Sequence, residues 1–173
     1  PTAGPRVGDA VTAMLLARGI GYHPGLQVER IDPHSRRLLF AGGAQADVDV
    51  LIGVPPHRAP AALADSGLAG PTGFVAVDRA TMQTAVEGIH AVGDATQIPL
   101  ADGRFMLPKA GVFAHAQARV AAARIAAELR GRDCTTTFDG HGACFLELGD
   151  GRAGYASGDF FAPGAPEVRM RRP

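Results

Sequence analysis

The sequence has no tryptophan, only two tyrosines and two cysteines, and no run of ~18 apolar residues long enough to cross a bilayer as a helix. Cys134 and Cys144, with nine residues between them, match no zinc-ligand spacing and make no disulfide framework. Neither charge is in excess. Seventeen basic residues balance seventeen acidic ones, which leaves no electrostatic ground for a nucleic-acid partner. His23, His34, His90 and His141 show no ligand pattern, so no metal site is expected. A working dinucleotide fingerprint is also missing. The formal G-x-G-x-x-G at Gly149, Gly151 and Gly154 is followed by the strand-like Tyr155-Ala156-Ser157, whereas pyrophosphate binding needs a helix N-terminus there. Asp150-Gly151 is instead a hairpin-turn dipeptide.

What is present is globular and turn-rich: 46% hydrophobic residues, 23 glycines and 13 prolines in 173 positions. That length suits one ordinary domain or two small pieces of a larger protein. The chain opens at Pro1, so a native start is expected upstream.

Residues 1–19 carry a helix, with Val7, Val11, Met14 and Leu15 at helical spacing, Pro5 in the first turn and Gly19 as the stop. Residues 20–22 read as a short strand. Strands at 27–32 and 37–40 are joined through the turn cluster Asp32-Pro33-His34-Ser35. An apolar strand at 47–54 ends at Pro55-Pro56. A short helix at 60–66, a strand at 74–78 and a loop at 99–108 with a turn at Asp102-Gly103 follow. The longest helix spans 110–130 and is closed by Gly131. Phe113, Ala116, Val120, Ala123 and Ala127 form one apolar stripe; Ala118, Ala122, Ile125 and Leu129 form a second. Two stripes predict a helix packed on more than one side. Segments 143–148 and 153–161 read as a hairpin, with a third strand at 167–170.

The chemistry centres on Gly88-Ile89-His90-Ala91-Val92-Gly93-Asp94-Ala95-Thr96. Ile89, Ala91 and Val92 read as a buried strand of a parallel sheet, and Gly93 permits a tight turn at its carboxyl end, where open α/β sheets bind ligands. Asp94 then offers an acceptor-only carboxylate to a hydroxyl-rich ligand, or simply caps a loop. Pro108-Lys109-Ala110-Gly111-Val112-Phe113 opens the long helix, whose first amides and dipole favour negative charge nearby. Lys109 adds a positive charge there or is a solvated lysine. His57 and His115 lack a nucleophile or carboxylate partner at a diagnostic spacing.

The Gly93-Asp94 segment resembles the second flavin-binding motif of the FAD-dependent pyridine nucleotide-disulfide oxidoreductases. The run 74–131, with the tail Gly142-Ala143-Cys144-Phe145-Leu146-Glu147 and Gly158-Asp159-Phe160-Phe161, is similar to sulfide:quinone oxidoreductases and to flavocytochrome c sulfide dehydrogenase flavin subunits. Only the C-terminal half of such a protein is matched. The resemblance implies an α/β fold, the C-terminal part of a flavoprotein with two dinucleotide-binding domains, ending in an antiparallel β hairpin. It divides the chain into the end of an inserted NAD(P)-domain-like segment (1–54), the second segment of the FAD domain (55–132) and a β-rich C-terminal segment (133–173).

It further implies that FAD binds in the full-length parent, held by Gly93, Asp94, Ala95, Lys109, Gly111, Val112 and the Pro55 loop. Cys144 occupies the place of a redox cysteine in sulfide-oxidising members; read from its own residues it is a small buried hydrophobe in a strand. The implied parent oxidises sulfide and passes electrons through flavin to a quinone or a cytochrome. The alternatives are an NADH-dependent flavin dehydrogenase and a non-catalytic flavin-domain fragment. The implied partner is the N-terminal half of the same protein, and the isolated chain is expected to be colourless, inactive and prone to self-association through exposed strand edges. The expected location is cytoplasmic or peripheral to the inner membrane.

Overall fold

The computed structural model describes residues 3–164 and 166–171. Within it the chain forms two compact units: Val11 to His57, and the residues through Ala10 together with those from Arg58 onward. Helix α1 (Pro5–Leu16) belongs to both. It stops where predicted: Gly19, at φ +69°, donates to the Leu16 carbonyl, and Ile20 reaches back to Leu15. This paired closure satisfies carbonyls that the last turn leaves open.

The smaller unit holds an antiparallel sheet in the order β1 (Val28–Asp32), β2 (Arg37–Phe40), β3 (Gln45–Asp47). The β1–β2 turn is set by Asp32, whose Oδ1 accepts the His34 and Ser35 amides at 3.0 and 3.3 Å. Arg37 Nε donates to Asp47 Oδ1 at 2.7 Å across β2 and β3, an exposed pair that solvent screens. Two strand expectations fail here. Residues 20–22 and 48–54 are irregular, and Ile52 is 91% exposed. An apolar alternation makes a strand only where a neighbouring strand takes up its backbone groups, and no described strand pairs with either segment.

In the larger unit a single turn, α2 (Ala61–Ala64), precedes the two-residue strand β4 (Val75–Ala76). This pairs parallel with β5 (Thr96–Gln97), in register Val75↔Thr96 and Ala76↔Gln97. The expected strand at 89–92 is a second correction. Val92 is extended, but among the described residues the run makes a single bridge, from His90 to Gln83, with Thr84 N–H donating to the Ile89 carbonyl and Ala91 N–H to the Met82 carbonyl. The apolar run folds back on residues 82–84 instead of entering a parallel sheet.

Helix α3 (Gly111–Glu128) closes through Gly131, φ +61°, with Arg132 N–H reaching the Ala127 carbonyl. One face only is buried: Phe113, Gln117, Val120 and Ala121. The second stripe, Ala118, Ala122, Ile125 and Leu129, is exposed, so the expectation of packing on several sides is not met among the described residues.

Strands β6 (His141–Gly149), β7 (Arg152–Asp159) and β8 (Glu167–Arg171) form an antiparallel sheet in that order. Asp150 and Gly151 both have positive φ, 56° and 68°, the conformation that a two-residue hairpin turn demands. The formal fingerprint is therefore a turn, as read. The core joins this sheet to α3 and the loops: Phe113 meets Phe138 and Phe160 edge-on at 6.2 and 5.0 Å, beside Met82, Ile98 and Leu107.

Candidate functional site

Gly93, Asp94 and Ala95 form one 3₁₀ turn immediately after extended Val92. Gly93 has φ +66°, and a Cβ there would lie 3.1 Å from the Cβ of Ala114. The turn therefore sits directly on the first turn of α3, and glycine meets both the conformational and the contact requirement. Its amide donates to the Oε1 of Gln117 at 2.6 Å. Gln117 is 2% exposed, which makes it a buried bracket. Sequence reasoning passed over it. The available signal was a glutamine four residues after Phe113 on an otherwise apolar helix face.

Lys109 fixes the turn from the other side. Its Nζ donates to the carbonyls of Asp94 at 2.5 Å and Thr96 at 3.0 Å and lies 3.8 Å from the centre of the Phe74 ring. Burial holds its pKa below the usual lysine value, and the Asp94 charge offsets part of that. Lys109 is the only lysine in the chain. A compact ammonium suits two convergent carbonyls better than a planar guanidinium fork would.

Ala110, the residue before α3, makes no side-chain cap. Among the described residues the Gly111 and Val112 amides have no acceptor, while those of Phe113 and Ala114 bond back to the Ala110 carbonyl. The Asp94 carboxylate accepts no hydrogen bond among them either. The site thus presents one free carboxylate and a helix start with two free donors, on a turn bracketed by Gln117 and Lys109. Such a set fits the polyhydroxyl chain and an anionic edge of a flavin. The space that these residues enclose is only about 10 Å³, room for a single water, whereas ligand pockets run to ~300–1,000 Å³.

Cys144 lies on β6 opposite Ala156. It is exposed, which overturns its reading as a buried hydrophobe. Gly142, two residues earlier and so on the same sheet face, approaches Phe113 so closely that a Cβ would be 2.2 Å from the ring. Cys144 therefore faces the α3 side about 7 Å further along the strand. Pro55 and His57 lie in the smaller unit, in an irregular segment. Cys134, in the loop after α3, has its thiol pKa lowered by hydrogen bonds from the Thr136 backbone and side chain. No group of three or more His, Cys, Asp or Glu among the described residues could hold a metal ion.

Residues 1–123 match the pyridine nucleotide-disulphide oxidoreductase family, and the chain belongs to it. It is 32% identical over 105 residues to the mitochondrial sulfide:quinone oxidoreductase of Schizosaccharomyces pombe. That alignment covers 60% of this chain and 21% of the relative, so the match spans about a fifth of the relative's length. Among solved structures, the sulfide:quinone oxidoreductase of the hyperthermophilic bacterium Aquifex aeolicus superposes with a TM-score of 0.76 at 21% identity, over 94% of this chain and 40% of that one. A NAD-dependent persulfide reductase from A. fulgidus gives 0.56 at 24% identity, over 87% and 27%. The flavoprotein fold expected from the sequence is the fold found. No described helix is long and apolar enough to cross a membrane.

Proposed function

We propose that this chain is the flavin-facing C-terminal part of an FAD-dependent oxidoreductase whose parent oxidises sulfide and delivers the electrons to a quinone or a cytochrome. The observation that carries the reading is the bracketed Gly93-Asp94 turn, set against the uncapped start of α3. In this reading Asp94 accepts from ribityl hydroxyls and the Ala95 amide lies near the ribityl or phosphate region. The Gly111 and Val112 amides hold the pyrimidine edge. Lys109 keeps the turn in place and lends its charge. The redox chemistry is the flavin's; the protein binds, orients and shields.

Cys144, exposed on the α3 side of β6, is the thiol through which sulfide electrons enter, together with a cysteine of the N-terminal half. In this reading that half is the partner that completes the site, and a space of about 10 Å³ beside Gly93 and Asp94, too small for a flavin, supports it. Quinone reduction would bring the parent to a membrane surface; otherwise it remains cytoplasmic.

The test is anaerobic bleaching of flavin absorbance in the full-length protein by sulfide and, separately, by NADH. Bleaching by sulfide that is lost on Cys144→Ser is the expected result. Bleaching by NADH alone would make the parent an NADH-dependent dehydrogenase. A full-length protein that binds no flavin would leave this chain a non-catalytic packing module.

A further inference from the structure

We propose that the slot between the start of α1 and the open edge of β8 receives an extended acidic segment of a partner protein as an added strand. This rests on the larger unit alone and is independent of the flavin reading.

Strand β8 pairs with β7 on one side and with no other strand among the described residues. Val168, Arg169, Met170 and Arg171 all line one cleft of about 470 Å³, whose opposite wall is Arg6, Val7 and Ala10 of α1. Successive strand residues point to opposite sheet faces. A cleft touched by four in a row therefore runs along the strand's edge, where the outward main-chain groups are available to a further strand.

The lining chemistry selects the occupant. Three arginines, Arg6, Arg169 and Arg171, stand at this slot, and among the described residues no carboxylate lines it. Among the described residues none of the three has an ion-pair partner. Val168 and Met170 alternate with the strand arginines and are partly buried, and Val7 is buried, so the slot has an apolar wall as well as a basic one. An incoming strand with alternating acidic and apolar residues complements both. A second copy of this chain would bring the arginines of both molecules to one seam, where like charges disfavour pairing. A lipid headgroup would satisfy the arginines and leave the strand edge unused.

The probe is a fluorescein-labelled Glu-Val-Glu-Val-Glu-Val peptide, acetylated and amidated, with Lys-Val-Lys-Val-Lys-Val as its counterpart, read by anisotropy on the whole chain. Saturable binding of the acidic probe is expected, weakened at least tenfold by Arg169→Glu/Arg171→Glu and unchanged by Arg119→Glu. Amide exchange should slow along Glu167–Arg171 on binding. Should the double variant unfold by circular dichroism, Arg6→Gln takes its place, with a drop of several-fold expected. The proposal is overturned by no binding, by equal binding of the lysine probe, or by protection on β6 instead. Retention on phosphatidylglycerol vesicles without peptide binding would overturn it too.

Discussion

The Gly93 amide and the Gln117 side chain are joined at 2.6 Å, a bond from a 3₁₀ turn into the buried face of the helix that follows it. The turn, and with it the Asp94 carboxylate, is thereby tied to α3 by a side chain that never reaches the surface.

Replacing Gln117 with Leu keeps its bulk and leaves the Gly93 N–H without its acceptor. A cost of about 1–3 kcal/mol in urea unfolding is expected, the usual penalty for a buried donor left unmade. Gln117→Glu should retain more stability, since a carboxylate still accepts. Equal loss in both variants would mean that packing and not the hydrogen bond anchors the turn.

Lys109 yields a pH signature. Burial sets its folded-state pKa below the ordinary 10.5, so between the two values the unfolded chain holds more protons. Stability from this group therefore rises with pH through that window and is flat below it. Because the chain has one lysine, reductive ¹³C-methylation gives a single lysine signal to titrate, and its midpoint should fall below that of a free lysine. Lys109→Arg should not restore the clamp lost in Lys109→Met. A titration at the free-lysine value would remove the burial argument.

Asp78 has the same sign of slope in its own, acidic window. Its Oδ1 accepts Thr81 Oγ1 and the Thr81 amide, both at 2.8 Å, and the Ala80 amide at 3.1 Å. These bonds, led by the Thr81 hydroxyl, pull its pKa below 3.8. The stabilisation is complete above 3.8 and is lost as pH falls through the lowered value. Asp78→Asn should flatten the acid limb of a stability–pH curve and leave its slope near pH 10 unaltered.

Glycine at 158 is a packing requirement. A Cβ there would stand 2.0 Å from the Glu167 carbonyl oxygen, which is main chain and has nowhere to move while β8 stays paired. Gly158→Ala should release β8, visible as lost amide protection at Val168 and Met170, with at least about 1–3 kcal/mol of destabilisation. Protected β8 amides in that variant would contradict the contact.

Both helix stops, the Asp150-Gly151 hairpin and the Asp32 turn were legible because their signals are local: one glycine or aspartate decides a few backbone dihedrals. The strands at 47–54 and 89–92 were not, since a strand is a relation between segments and sequence periodicity records only one of the two. Ile52 is as apolar as a core residue and lies 91% exposed. The same reasoning covers the site. Gly93 and Asp94 stood out by type and order, whereas Gln117 became visible only when α3 turned it toward Gly93. Lys109 was legible as a charge near the helix start; that it holds two carbonyls required the fold.

The exposed stripe of α3 supplies the last prediction. Leu129 is 83% exposed and Ile125 39%, aligned with Ala118 and Ala122 on a face that the described chain leaves open. Small residues flanking two large aliphatic ones suit close contact with another element, and under the proposed function that element belongs to the N-terminal half of the parent. Ile125→Lys/Leu129→Lys should change the stability of the isolated chain by no more than about 0.5 kcal/mol, the usual scale for surface positions. In the full-length protein the same pair should lower the melting temperature and the flavin content together, because assembly of the two halves would be what forms the pocket. Unaltered flavin content in that variant would show that this face stays open in the parent and that the halves meet elsewhere.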